Sequence, residues 1–380
     1  MLNSELLFTG NNTGSNWNLR IEDGMVVFRL KEEHFNYTTI KKIIYFINCI
    51  HKKYKKNIPI SFEFGKIYFI DKLVYTLFEC ICDELIRKWG QDIYVQFENK
   101  DSIWTAGIKS SPLLLLTTGE KKHREKFKEK FNKELYQSHY RRVVRGAGVE
   151  PPDYLSVIMT ELEMFLKTFQ VTDNCRNEIS EVIVELIGNA DEHTGADCLL
   201  DLDVSPGYIK KDTNEKYYGI NLAIINFSPK LLGDGIKEKI AVPENLDNRH
   251  LSVLQAYNKH KEHFSGDYQE RDFFNIASFQ HRISGRDNNN YTGGTGLTKL
   301  IHSLESKSDA HRCYVISGNR GLLFRKEFLE YNKENWIGFN KEKDFLTAIP
   351  ELSNIEQIPI FFPGTAYNLN FVMKEDENGE

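Results

Sequence analysis

The sequence predicts an α/β protein in two parts, a small α/β domain to about residue 117 and a larger α/β unit from about residue 151 onward. Three observations carry this. Runs with the two-residue period of strands alternate with runs at helical spacing along most of the chain. At 380 residues the chain is too long for one ordinary core. Between the two parts, Gly146-Ala147-Gly148 and Pro151-Pro152 break every pattern and mark a boundary.

In the first part, Met25–Leu30 reads as a strand, and Thr39–Tyr54 as a helix with Ile43, Ile44, Ile47 and Ile50 on one side. Ile58–Phe64 and Ile67–Ile70 are strand-like again. Lys72–Trp89 has helical periodicity through Leu73, Leu77, Cys80, Ile81 and Leu85, with Gly90 as its stop and Asp92–Phe97 as the next strand. Leu113–Leu116 reads as a short buried strand. Residues 118–150 form a connecting region, and Glu120–Arg145 reads as one amphipathic helix, rich in Lys and Arg, with Phe127, Phe131 and Leu135 at four-residue spacing. Such a helix is either a solvated face packing one aromatic stripe or a contact surface for nucleic acid or an acidic partner.

The second part opens at Asp153, a candidate N-cap, before Leu155, Ile158, Met159, Leu162, Leu166 and Phe169 at helical spacing. A second helix runs from about Asn174 to His193, followed by strands Leu199–Val204 and Tyr217–Phe227 around a polar hairpin. Charge and composition narrow the class. The net charge of −5 argues against wholesale adhesion to nucleic acid, leaving segment 121–145 as the one basic candidate. Cys49, Cys80, Cys82, Cys175, Cys198 and Cys313 show no paired metal-ligand spacing, so reduced thiols in a cytoplasmic protein are expected. The first residues lack the charged and apolar regions of a secretory signal, and no apolar run approaches the roughly 18 residues of a membrane span.

Two segments carry chemistry. In Glu185-Leu186-Ile187-Gly188-Asn189-Ala190-Asp191-Glu192-His193, the residues Glu185 and Asn189 stand four apart and emerge on one side of a helix, with Glu192 and His193 extending that side by a turn. This is either an ordinary polar helix face or a carboxylate and an amide oxygen arranged to hold a water and a Mg²⁺ ion against a triphosphate. About a hundred residues later, Gly293-Gly294-Thr295-Gly296-Leu297 opens an apolar helical run through Leu300, Ile301 and Leu304. Glycines there permit close approach of backbone to a ligand, and free N–H groups at a helix start favour phosphate, although a plain loop fits the same residues. The spacing matches neither a Walker loop nor a dinucleotide fingerprint.

In this order and combination the segments resemble the GHKL (Bergerat-fold) ATPases, over about Asp153 to Met373. Glu185 and Asn189 match the family's N box, and Gly293–Leu297 match its second glycine box. Phe362-Pro363-Gly364-Thr365-Ala366 resembles its last turn and strand, with Thr365 in the Gly-Thr pair. The resemblance implies an α/β sandwich with helices on one face of a mixed sheet, and ATP with Mg²⁺ as ligand. It makes Glu185 the general base, Asn189 the magnesium ligand and Gly293–Leu297 the triphosphate cradle, with Glu192 and His193 also at the nucleotide. One departure stands out. The adenine-reading aspartate of an Asp-x-Gly-x-Gly pattern is replaced either by Asn226, which ends the second strand, or by Asp234 in Gly233-Asp234-Gly235 after an insertion. An Asn oxygen still accepts from an amino group, without the charge. Between Leu246 and Thr292 a lid is expected, anchored by Phe273, Phe274, Ile276 and Phe279 and otherwise mobile and polar, with Arg282 and Arg286 on its surface.

The N-terminal pattern around Asp71 resembles a STAS-like regulatory module, which implies protein interaction or dimerisation. Lys72 and Leu73 stand where phospho-regulated members carry Ser or Thr, so no phosphorylation switch is expected there. Such fusions occur in bacterial stress-regulatory and phage-defence proteins. The resemblance therefore implies an ATPase whose nucleotide state controls association with a protein partner or a second copy. Two further readings are a protein kinase of the anti-sigma-factor or sensor type, and a non-enzymatic binding module. A sensor kinase needs an accessible phosphoacceptor histidine, and His139, before Tyr140, Arg141 and Arg142, reads as an ordinary surface residue instead.

Overall fold

The computed structural model describes residues 2–13, 17–30, 34–54, 58–98, 111–146, 148–169, 171–209, 216–285, 296–308 and 313–374. Its class is α/β, as expected. In the first part the elements run β1 (Arg20–Glu22), β2 (Met25–Leu30), β3 (His34–Phe35), α1 (Tyr37–Lys53), β4 (Ile60–Phe64), β5 (Tyr68–Phe69), α2 (Lys72–Arg87) and β6 (Ile93–Phe97). Strands β2, β4 and β6 pair in parallel in the order β1-β2-β4-β6, with β1 antiparallel at one edge. Each helix starts where a side chain satisfies its free N–H groups. Asn36 accepts from the N–H groups of Thr38 and Thr39 at 2.9 and 3.2 Å, and Asp71 accepts from Val74 N–H at 2.9 Å. Asp71 also accepts the Tyr314 hydroxyl at 2.7 Å, which commits it to structure.

The second part contains α3 (Lys121–Asn132), β7 (Lys133–Tyr136), β8 (His139–Val144), α4 (Tyr154–Lys167), α5 (Asp173–Thr194), β9 (Cys198–Ile209), β10 (Lys216–Phe227), α6 (Asp234–Ile240), α7 (Asn248–His260), α8 (Glu270–Ala277), α9 (Gly296–Lys307), β11 (Tyr314–Leu323) and β12 (Ile355–Lys374). Six strands form one sheet in the order β11-β12-β10-β9-β8-β7. All of its described ladders are antiparallel. The mixed sheet expected for this part is therefore not what forms; among the described residues parallel pairing occurs only in the N-terminal part, in β2-β4-β6 and in the separate pair β3-β5. The single helix expected over Glu120–Arg145 is also corrected: it stops at Asn132, and residues 133–144 form the hairpin of β7 and β8. Leu113–Leu116 lies in a 3-10 helix, Pro112–Thr117, rather than a strand.

Alternation along the strands sorts their side chains onto two cores. Leu200, Leu202, Ile220, Leu222 and Ile224 pack with α4, α5 and α9 on the front face. Leu199, Ala223, Ile225, Phe227, Ile316 and Phe362 face the opposite way, into the same core as α1 and α2. The N-terminal part thus sits on the back of the large sheet, with Leu73 N–H donating to Asn368 Oδ1 on β12 at 3.1 Å. Among the described residues no helix is long and apolar enough to cross a membrane, and all six cysteines are free thiols.

Candidate nucleotide pocket

Helix α5 buries Ile179, Val182, Ile183, Leu186 and Ile187 against the sheet and ends at Gly195, whose left-handed φ of 60° lets its N–H turn back to Asp191 O at 2.7 Å. Its polar face meets α9. Lys299 pairs with Glu181 at 3.0 Å and Lys307 with Glu178, so the two helices run antiparallel. Four residues along α5 from Glu181 is Glu185, a rise of about 6 Å, and three residues back along α9 from Lys299 is Gly296. Glu185 thus lies beyond the Glu181–Lys299 pair along α5, in the direction of the start of α9.

A cavity of about 300 Å³ opens beside this point. Its floor is the front of the sheet, through Ile224, Asn226, Thr365 and Tyr367. One wall is the last turns of α5, with Leu186, Asn189, Ala190, Glu192, His193 and Thr194. The facing wall is Lys230 to Gly233, Gly235, Ile236 and Glu238, closed by Ser278, Ile283, Ser284 and Gly285, while Leu297 comes in from α9. Asn226 and Thr365 are direct register partners on β10 and β12. Their approach depends on Gly364, at φ 108°, where a Cβ would lie 2.1 Å from Asn226 O. Gly235 and Gly285 cross closely on the facing wall: a Cβ on Gly285 would lie 2.6 Å from the carbonyl carbon of Gly235.

Asn226 is buried and its amide is oriented by its neighbours. Nδ2 donates to Ala196 O at 3.3 Å and Asp197 O at 3.2 Å. Thr194 Oγ1 lies 3.3 Å from Oδ1 but 2.6 Å from Ala190 O, and its single proton belongs to the closer carbonyl. Oδ1 therefore keeps acceptor capacity at the cavity floor. At the mouth, His193 is held below its ordinary pKa, first by desolvation against the surrounding walls and then by the Lys230 ammonium.

The expected residues divide as follows. Asn189, Glu192, His193, Asn226, Gly235, Leu297 and Thr365 share this one cavity. Glu185 is half-buried one turn back and does not line it. Asp234 does not line it either, because its carboxylate accepts Arg271 Nη1 at 2.7 Å and Leu231 N–H at 2.8 Å. Gly296 opens α9, while Gly293, Gly294 and Thr295 lie outside the described residues, as does Arg286. The expected mobile lid is corrected: most of it is the packed helices α7 and α8, with Phe273, Phe274, Ile276 and Phe279 buried as the foreseen anchors. Sequence reasoning missed Lys230, Glu238, Tyr367 and Gly285, whose only signals were an insertion and a lone glycine. The basic segment is largely neutralised internally, Arg124 by Asp92, Lys128 by Glu125, Lys130 by Glu134 and Lys133 by Glu161. His139 is corrected from a surface residue to a buried one, with Nε2 3.0 Å from Asp201 Oδ1.

No family model matches the chain, and neither a curated protein nor a solved structure matches it.

Proposed function

We propose that this chain binds ATP with Mg²⁺ in the cavity between α5, β10, α6 and α9, as a regulatory ATPase of GHKL type. The single observation that carries the reading is convergence. Asn189, Asn226, Leu297 and Thr365 stand on four elements spread over some 180 residues, and they line one cavity. Asn189, Leu297 and Thr365 come from the three motifs on which the resemblance to these ATPases rests, in their order, and Asn226 is one of the two residues offered in place of the family's aspartate. A concave site of this volume, lined by apolar side chains and several fixed polar groups, is a common form of a small-molecule pocket.

Within the proposal, Asn226 Oδ1 faces a donor on the base, and Thr365 stands beside it on the neighbouring strand. The start of α9 offers its free N–H groups to phosphate. Among the described residues no group of three or more His, Cys, Asp or Glu side chains is placed to hold a metal. A bound magnesium would take Asn189 Oδ1 and complete its shell with phosphate and water oxygens, which suits an ion that dehydrates reluctantly. Glu185, one turn from Asn189 on α5, is the general base of this reading.

The position of Glu185 outside the cavity wall favours one second reading, a module that binds nucleotide without turning it over. Phosphate release in the presence of Mg-ATP separates the two. Turnover that falls at least a hundredfold in Glu185→Ala, with binding retained, supports the ATPase. Equal phosphate release by both proteins assigns Glu185 no role in hydrolysis, and no release by either leaves the binding module. Labelling of a candidate partner by radiolabelled ATP would mark a kinase instead.

A further inference from the structure

On the opposite face of the same sheet, on the strands beside the pocket's floor, lies a cluster of charges sealed between the two parts of the molecule. Lys72 Nζ on α2 lies 2.5 Å from both Asp201 and Asp203 on β9. Arg141 on β8 pairs with Asp201 and with Glu79 on α2. Each of these side chains is at least 97% buried. Around them, Tyr75 Oη accepts from Lys72 at 2.9 Å and Asn221 Nδ2 donates to Asp203 at 2.9 Å.

The charges do not balance. Two fixed cations, Lys72 and Arg141, face three carboxylates, Glu79, Asp201 and Asp203, leaving one negative charge in excess. An uncompensated buried charge is costly, and a group that can neutralise itself by protonation does so. Two groups are available. His139 donates through Nε2 to Asp201, and its Nδ1 is buried with no hydrogen-bond partner among the described residues. A second proton on that ring would be a charged donor facing nothing. Glu79 is better placed: Ser111 Oγ, which donates to Oε1 while the carboxyl is ionised, can turn its hydroxyl and accept from a protonated carboxyl. Despite its burial, Asp201 is held ionised by Arg141 and Lys72, and Asp203 pairs with Lys72 at 2.5 Å.

We infer that Glu79 carries a proton in the folded protein, and that the N-terminal part is clamped onto the back of the pocket's sheet by a cluster that is neutral only while this proton is held. Other groups facing Glu79 do not supply the missing charge. On its own helix, Cys80 and Cys82 have their thiols pushed up by burial, and Asp83 is paired with Arg87. From α3 the nearby cation is Lys128, already paired with Glu125. Burial raises the Glu79 carboxyl above its ordinary range, reinforced by Asp201 and opposed by Arg141 and by the Ser111 hydroxyl. The sign follows. A carboxyl with a raised folded-state pKa contributes its stability fully below the ordinary carboxylate range, and that contribution is lost as pH rises through the raised value.

Infrared spectroscopy of the full chain tests this directly. At neutral pH the wild-type protein should show the carbonyl stretch of a buried protonated carboxyl, and Glu79→Gln should remove it. The melting temperature of wild type relative to Glu79→Gln should fall as pH is raised from 5 to 9. His139→Gln should keep both the infrared band and that fall. Should Glu79→Gln fail to fold, the band in wild type and His139→Gln, and its disappearance on raising pH, decide the matter. Absence of the band from the wild-type protein, or its loss in His139→Gln alone, overturns the inference.

Discussion

Replacing Lys72 by Met isolates the electrostatic part of the domain junction, because the thioether chain follows the path of the lysine stem and leaves packing nearly intact. What disappears is one cation that Asp201 and Asp203 share at 2.5 Å, in a side chain only 3% exposed. With Glu79 protonated, the wild-type cluster sums to zero; without Lys72 it carries a buried negative charge. Breaking a buried pair by removing one partner costs about 3–5 kcal/mol, against about 0–1 kcal/mol for an exposed pair. Arg29, paired with Glu22 and Glu63 at the surface, is the internal standard. Urea unfolding at pH 7, followed by circular dichroism and by tryptophan fluorescence, should show Lys72→Met losing several times as much stability as Arg29→Met. Adding Asp203→Asn to Lys72→Met restores neutrality and should recover part of the loss. Equal losses for Lys72→Met and Arg29→Met, or a double variant whose losses simply add, would refute the reasoning.

Three further outcomes follow from the same geometry. Asn226→Asp places a carboxylate against the carbonyls of Ala196 and Asp197, which now accept from Nδ2; thermal stability should fall by about 1–3 kcal/mol, and an unchanged melting curve would contradict the described amide orientation. His260 is fully used in its neutral form, with Nδ1 2.6 Å from Tyr268 Oη and Nε2 2.9 Å from Phe345 O, and burial lowers its pKa to about 4. Its contribution is therefore full above the ordinary histidine pKa and is lost as pH falls from about 6.5 towards 4, by about 3 kcal/mol in total, and His260→Gln should flatten that part of a pH–stability curve. Removing residues 1–117 uncovers Leu199, Ala223, Ile225, Phe227 and Ile316, and strips Asp203 of Lys72 and Arg141 of Glu79; the remainder should aggregate, and a monodisperse folded fragment would show the junction to be dispensable.

How much of this was legible depended on how local the determinants are. Helix α5 and strands β9 and β10 were readable because their apolar periods are long, and Asp71 announced α2 through a cap that needs only the next three residues. The hairpin of β7 and β8 was not. In His139–Val144 the back-facing positions carry His139 and Arg141, which read as surface, and their neutralising partner Asp201 stands some 60 residues later. Charge in a core looks like a solvated face until its distant partner is known. Antiparallel pairing throughout the large sheet was hidden for the same reason, since register is set by contacts between strands. At the pocket, Asn189, Leu297 and Thr365 were found by motif, whereas Lys230 and Glu238 occupy an insertion that no local pattern orients.

Isothermal titration calorimetry with Mg²⁺ and a non-hydrolysable ATP analogue tests the central claim most directly. Wild-type protein should bind one nucleotide saturably, and Asn189→Ala should weaken that affinity about tenfold, the loss of one contact to a charged group. A flat titration at millimolar nucleotide, or undiminished binding in a variant that fills the cavity floor such as Thr365→Trp, would contradict the account.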